Sequence, residues 1–158
     1  MTDFDPKMDL VLERYIAVPP QKVWAAWTVP DILMQWFTPA PWKTVACEID
    51  LRPGGKFRTV MQGPDGESND GTGCYLEVEP DRKLVWTSAL GQGYRPNVPQ
   101  YGVPTFTCLL ELTPKGGGTV YRATAVHGTE ADAKIHADMG FADGWGAALD
   151  QLVALMSR

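Results

Sequence analysis

Between Lys43 and Val126 the chain alternates apolar and polar residues in short runs divided by glycine, proline and aspartate. A period of two over such a stretch is the pattern of strands covered on one face. It restricts the fold to a largely antiparallel sheet backed by a second layer. The strands read from it are residues 43–50, 56–62, 72–79, 83–89, 105–113 and 119–126. Cys74, Leu76 and Val78 are expected on one face, as are Phe106, Cys108, Leu110 and Leu112. Between the runs lies turn chemistry: Arg52-Pro53-Gly54-Gly55, residues 63–71 throughout, Pro80-Asp81, and residues 114–118. With 16 glycines and 13 prolines in 158 residues, turns are frequent and a helix bundle is disfavoured.

The flanks supply the second layer. Residues 8–18 read as a first strand, with Leu10, Leu12, Ile16 and Val18 in one phase. Arg14 shares that phase, either as a core-edge arginine or as a charge facing an internal cavity. Pro19-Pro20 ends the strand and opens a helix carrying Val23, Trp24 and Trp27. Pro30 breaks it, and a second short helix presents Leu33, Trp36 and Phe37. At the far end Thr129 and Asp132 resemble a capping box and Gly140 is a stop signal. Trp145, Leu149, Leu152, Val153 and Met156 then form an amphipathic stripe. The expected class is α+β: a curved seven-stranded antiparallel sheet around a long C-terminal helix, with two short helices after strand 1. One domain over residues 1–158 fits this length.

Charge and motifs narrow the function. A net charge of −5 without a basic block argues against nucleic acid. No run reaches the roughly 18 apolar residues of a membrane span. The start MTDFDPKMD lacks the apolar core of a secretory signal. Three cysteines, Cys47, Cys74 and Cys108, without C-x-x-C spacing read as buried thiols in a cytoplasmic protein. Nucleophile-elbow, zinc-protease, Walker and dinucleotide fingerprints are absent, and no cofactor is expected. The acidic run 65–70 has the wrong spacing for a calcium loop, so no metal is expected there.

Two histidines remain, His127 at a strand end and His136 on the next helix. They either converge on one cavity, as acid–base groups or ligands alongside Asp132 or Asp138, or cap and pack separately. Six tryptophans are many for this length, and Trp36, Trp42, Trp86 and Trp145 fall near element ends. Rings with one polar edge suit an apolar pocket wall, and equally a thick core. The long loop 90–103 carries Tyr94, Arg95 and Tyr101 and is a candidate lid.

Several motifs occur in an order that resembles one family. They are Val23-Trp24-Ala25-Ala26-Trp27-Thr28 with Gln35-Trp36-Phe37-Thr38-Pro39, then Asp50-Leu51-Arg52-Pro53-Gly54-Gly55-Lys56-Phe57. Gly73-Cys74-Tyr75-Leu76-Glu77-Val78, Leu84-Val85-Trp86-Thr87 and Leu149-Asp150-Gln151-Leu152 follow. Together they resemble the SRPBCC (START/Bet v 1-like) superfamily, in the branch of activator of heat-shock-protein-90 ATPase homologues, also labelled polyketide-cyclase-like. The resemblance implies a helix-grip fold with a deep cavity between sheet and terminal helix. Such a fold hosts unrelated functions, so three expectations stand. The first is binding of a small hydrophobic or amphipathic molecule by Trp36, Trp86, Phe141, Trp145 and Leu149, with Arg14 and His136 as polar contacts. The second is a cyclase, dehydratase or hydrolase using His136 or His127 with a carboxylate partner. The third is a chaperone-associated interaction module docking through an apolar outer sheet face. A homodimer is left open.

Overall fold

A computed structural model describes residues 4–158. The chain runs β1 (Asp9–Ile16), α1 (Pro20–Thr28), α2 (Pro30–Leu33), β2 (Lys43–Ile49), β3 (Lys56–Gln62), β4 (Ser68–Glu79) and β5 (Lys83–Thr87). A small ribbon of β6 (Leu90–Gly91) and β7 (Arg95–Pro96) follows, then β8 (Thr107–Lys115), β9 (Gly118–Val126), α3 (Glu130–Asp138) and α4 (Phe141–Met156). Seven strands form one sheet in the order β1-β9-β8-β5-β4-β3-β2, every pair antiparallel. α4 lies across its inner face. This is the helix-grip architecture that the family resemblance implies, and it agrees with the order of elements.

Local chemistry accounts for the breaks. Pro20 and Pro30 each stand at the start of a helix, where a missing N–H has no cost. Thr129 caps α3 by accepting from the Asp132 amide at 3.1 Å. Gly140 sits between α3 and α4 at φ 93°, a conformation that favours glycine. Gly116 and Gly117, both at positive φ, join β8 to β9.

Three strand readings are corrected. First, the segment 63–71 is not turn throughout. β4 starts at Ser68 and pairs Ser68–Gly71 with the far end of β3, leaving a turn closed by Gly63 N–H donating to Glu67 O. Backbone groups of β3 up to Gln62 gain partners, and Arg58 grips Asp70 through two bonds of 2.9 and 2.8 Å. Second, Pro114 and Lys115 belong to β8, because the two-glycine turn needs no more chain. Third, a bulge falls between Tyr75 and Glu77. It reverses the phase of β4, so Tyr75 and Val78 join the inner core while Cys74 does not, despite being fully buried.

The inner layer is closed by Ile16, Val18, Val23, Trp27, Leu33, Trp36, Leu84, Leu110, Leu149 and Leu152, all below 5% exposed. Gln151 on α4 locks the segment after α2 in place. Its amide donates to Trp36 O and Thr38 O, both at 2.9 Å, and its carbonyl accepts from Ala40 N–H. The two short helices thereby plug one end of the space between sheet and α4.

Candidate functional site

Aromatic rings cross the inner face of the sheet in one continuous chain. Trp27 and Trp36 meet at a centroid distance of 5.2 Å, and Phe37 bridges Trp27 to Phe57. Phe57 on β3 stacks on Tyr75 at 5.4 Å and meets Trp86 edge-on at 5.1 Å. Trp86 on β5 meets Phe106 at 5.5 Å, and Phe106 meets both His136 and Trp145. Phe141 and Trp145, at 4.5 Å, close the chain on α4. Phe57, Tyr75 and Trp86 come from β3, β4 and β5, the other rings come from the helices and connecting segments, and ring-to-ring contacts hold them together.

Hydrogen bonding divides this chain into two parts. At the plugged end the polar edges are used internally. Trp36 Nε1 donates to Ala26 O at 2.9 Å, and Trp27 Nε1 donates to the Tyr121 hydroxyl at 3.2 Å. In the middle they are not. The Tyr75 hydroxyl and Trp86 Nε1 are buried without any hydrogen-bond partner among the described residues. Tyr75 and Trp86 stand opposite each other in the β4–β5 register, both against Phe57. Burial, with Cys47 adding to it, raises the Tyr75 pKa, so the hydroxyl keeps its proton. An unpaired buried polar group costs about 1–3 kcal/mol, so two on facing residues are not expected of a self-contained core.

The histidines meet at the α4 end. His127 Nδ1 lies 2.8 Å from Met8 O, and His127 Nε2 lies 2.8 Å from His136 Nδ1. His136 is 9% exposed among Phe106, Phe141 and Trp145. Burial first, and then the neighbouring His127, lower its pKa to about 4, so its ring is neutral at pH 7. The carboxylate partner expected from Asp132 or Asp138 is replaced by a second imidazole. Asp138 instead pairs with Lys134 at 2.7 Å on the exposed side of α3.

Of the pocket residues read from the sequence, Trp86, Phe141 and Trp145 come together around Phe106 and His136. Trp36 lies at the plugged end with its indole N–H satisfied, and Leu149 is a core residue 1% exposed. Arg14 bonds Asp150 at 2.6 Å and Gly146 O at 3.3 Å along α4. Phe57, Tyr75 and Phe106, which the sequence reading did not name as pocket residues, stand in the same chain of rings. Strand alternation already placed Phe106 with Cys108, but Tyr75 is hidden by the bulge. Cys47 is half-buried, and its thiol is pushed up to about 11 by burial and by Glu48, which leaves it unreactive as a nucleophile at neutral pH. The segment 90–103 docks at its start. Gly93 N–H donates to Gly54 O, and the Asn97 amide donates to Thr72 O and Ser88 O. Val98 and Tyr101 beyond it are fully exposed.

Residues 17–157 match the family described as Activator of Hsp90 ATPase homolog 1-like protein. Among solved structures, a Nitrosomonas europaea protein is 45% identical, with 98% of this chain and 97% of that one covered and a TM-score of 0.93. A Rhodobacter sphaeroides protein at 24% identity covers 98% and 96% of the two chains with a TM-score of 0.83. A Silicibacter pomeroyi protein bearing the AHSA1 name is 22% identical and covers 94% and 97%, with a TM-score of 0.68. No curated protein matches the chain.

Proposed function

Given that the chain belongs to the Activator of Hsp90 ATPase homolog 1-like family, we propose that it binds a small amphipathic molecule between the sheet and α4. The observation that carries this is the pair of unpartnered, buried donors, Tyr75 OH and Trp86 Nε1, on residues that are register partners in β4 and β5 and both pack against Phe57. A ligand acceptor atom gives these donors the partner that the protein withholds, while Phe57, Phe106 and Trp145 enclose its apolar body. Trp145, on α4, is only partly buried.

The other two readings have less behind them. For acid–base catalysis, the paired histidines are favourable, but no carboxylate bonds either ring among the described residues. For docking through the outer sheet face, the register sets Glu13, Arg122, Glu111, Lys83 and Glu79 side by side in alternating charge. Such a row is well solvated and breaks up any apolar patch.

Native mass spectrometry of gently purified protein tests the proposal. The expected result is a stoichiometric small molecule that leaves on denaturation and is lost from the Tyr75→Phe, Trp86→Phe double variant. Retention of the same molecule at full occupancy by that variant places it elsewhere and overturns the reading.

A further inference from the structure

Tyr75 OH and Trp86 Nε1 ask for a partner of one sign. An indole N–H donates and never accepts, so Trp86 needs an acceptor. A phenol does both, but burial raises the Tyr75 pKa and keeps its proton on, so this hydroxyl too has a hydrogen to place. Both side chains are more than nine-tenths buried. Trp27 and Trp36 at the plugged end find internal acceptors, whereas these two register partners do not.

Positive charge is kept away from the pair. Lys56 and Arg58 flank Phe57 in β3, so alternation turns them to the opposite face, where they bond Glu48 and Asp70. Arg14 belongs to β1, at the far edge of the sheet, and bonds Asp150 and Gly146 O on α4. Among the described residues, the ionisable group that acts on the Tyr75 hydroxyl is Cys47, whose own thiol is protonated at neutral pH. Surroundings that hold Tyr75 neutral oppose any other negative charge buried beside it.

We propose that Tyr75 and Trp86 select the ligand by a neutral acceptor: the interior takes an uncharged carbonyl compound, such as a ketone, ester or amide, and rejects the matching carboxylate. The inference rests on the binding reading above and adds the polar group to it. A carbonyl oxygen has two lone pairs, so it can take one donor or both. A hydrocarbon leaves both donors unpaired and gains only its apolar burial. A carboxylate would give up its hydration for two neutral donors, with no cation to balance it.

Three small probes of nearly one shape test the selection: acetophenone, a neutral ketone; ethylbenzene, which has no acceptor; and benzoate, which is anionic. The readout is the assigned Trp86 indole N–H signal in proton–nitrogen correlation spectra of the wild-type protein at pH 7. That signal should shift downfield, as a newly bonded N–H does, with acetophenone and not with ethylbenzene. Titration should give acetophenone about tenfold the affinity of ethylbenzene, with benzoate weakest. In Tyr75→Phe and in Trp86→Phe the ketone's advantage should shrink while ethylbenzene still binds. Should a variant fail to fold, the wild-type ranking and the Trp86 signal decide alone. Equal affinity for ketone and hydrocarbon, tightest binding of benzoate, a Trp86 signal that ignores the ketone, or no binding of any probe overturns the selection. A co-purified carboxylate that is lost from the Tyr75→Phe, Trp86→Phe double variant would sink the selection while sustaining the binding reading.

Discussion

Replacing Tyr75 by phenylalanine removes a hydroxyl that has no partner in the free protein. Deleting an orphaned buried group should leave stability unchanged or raise it by up to about 1 kcal/mol, read as an equal or higher urea midpoint. A clear fall in the midpoint would mean that an internal partner already holds the hydroxyl. His136 carries a pH signature of its own. Its folded pKa of about 4 lies below the value of 6.5 for a free imidazole, so the unfolded chain binds the extra proton first. Stability is then complete above about pH 6.5, falls as the pH drops towards 4, and levels off below. The loss is about 3 kcal/mol at most. Among the described residues, the ionisable group that acts on the ring is His127. Comparing urea midpoints of wild type and His136→Phe from pH 7 to pH 4 checks this, since the variant should lose less over that interval.

At the scale of elements, the turn between β2 and β3 holds the bulged part of β4. Gly54 N–H donates to Tyr75 O at 2.8 Å, and Tyr75 N–H donates to Gly55 O at 3.0 Å. A Cβ on Gly55 would overlap the Asp50 carbonyl oxygen, a backbone atom that cannot swing aside. Gly55→Ala is therefore expected to cost about 2 kcal/mol or more and to disturb Tyr75, visible as a lower melting temperature and altered ring resonances. On α4, Leu149→Ala should cost about 2–5 kcal/mol, because its side chain is fully enclosed by the sheet and α1 layer. Asp150→Asn should change stability by less than about 1 kcal/mol. Its carboxylate is 72% exposed, and an ion pair in that setting is weak. The alternating pattern made these elements legible. It failed at Leu76, where one extra residue in β4 turned Tyr75 inward, and at residues 68–71, where pairing to β3 overrode turn-forming residue types.

For the whole molecule, a ligand that binds only the folded chain must stabilise it. At a concentration about a hundredfold above its dissociation constant the gain is about 2.7 kcal/mol, and the melting temperature should climb steadily with ligand. A ligand that binds by calorimetry without moving the melting temperature would be sitting outside the folded interior. What the sequence determined by itself was the class and order of the parts. Strand period, the prolines at two helix starts, and the stripe from Trp145 to Met156 are local, and each is readable from a few neighbouring residues. The family motifs added the helix-grip arrangement. Only the tertiary structure decided which polar atoms go without partners. Trp36 and Trp86 look alike in sequence, yet one indole meets Ala26 O and the other meets nothing. His127 and His136 stand nine residues apart on different elements, and only the closing of α3 onto the end of β9 brings their rings within 2.8 Å. Satisfaction of a hydrogen bond depends on atoms brought together from distant parts of the chain, and periodicity along the chain does not encode it.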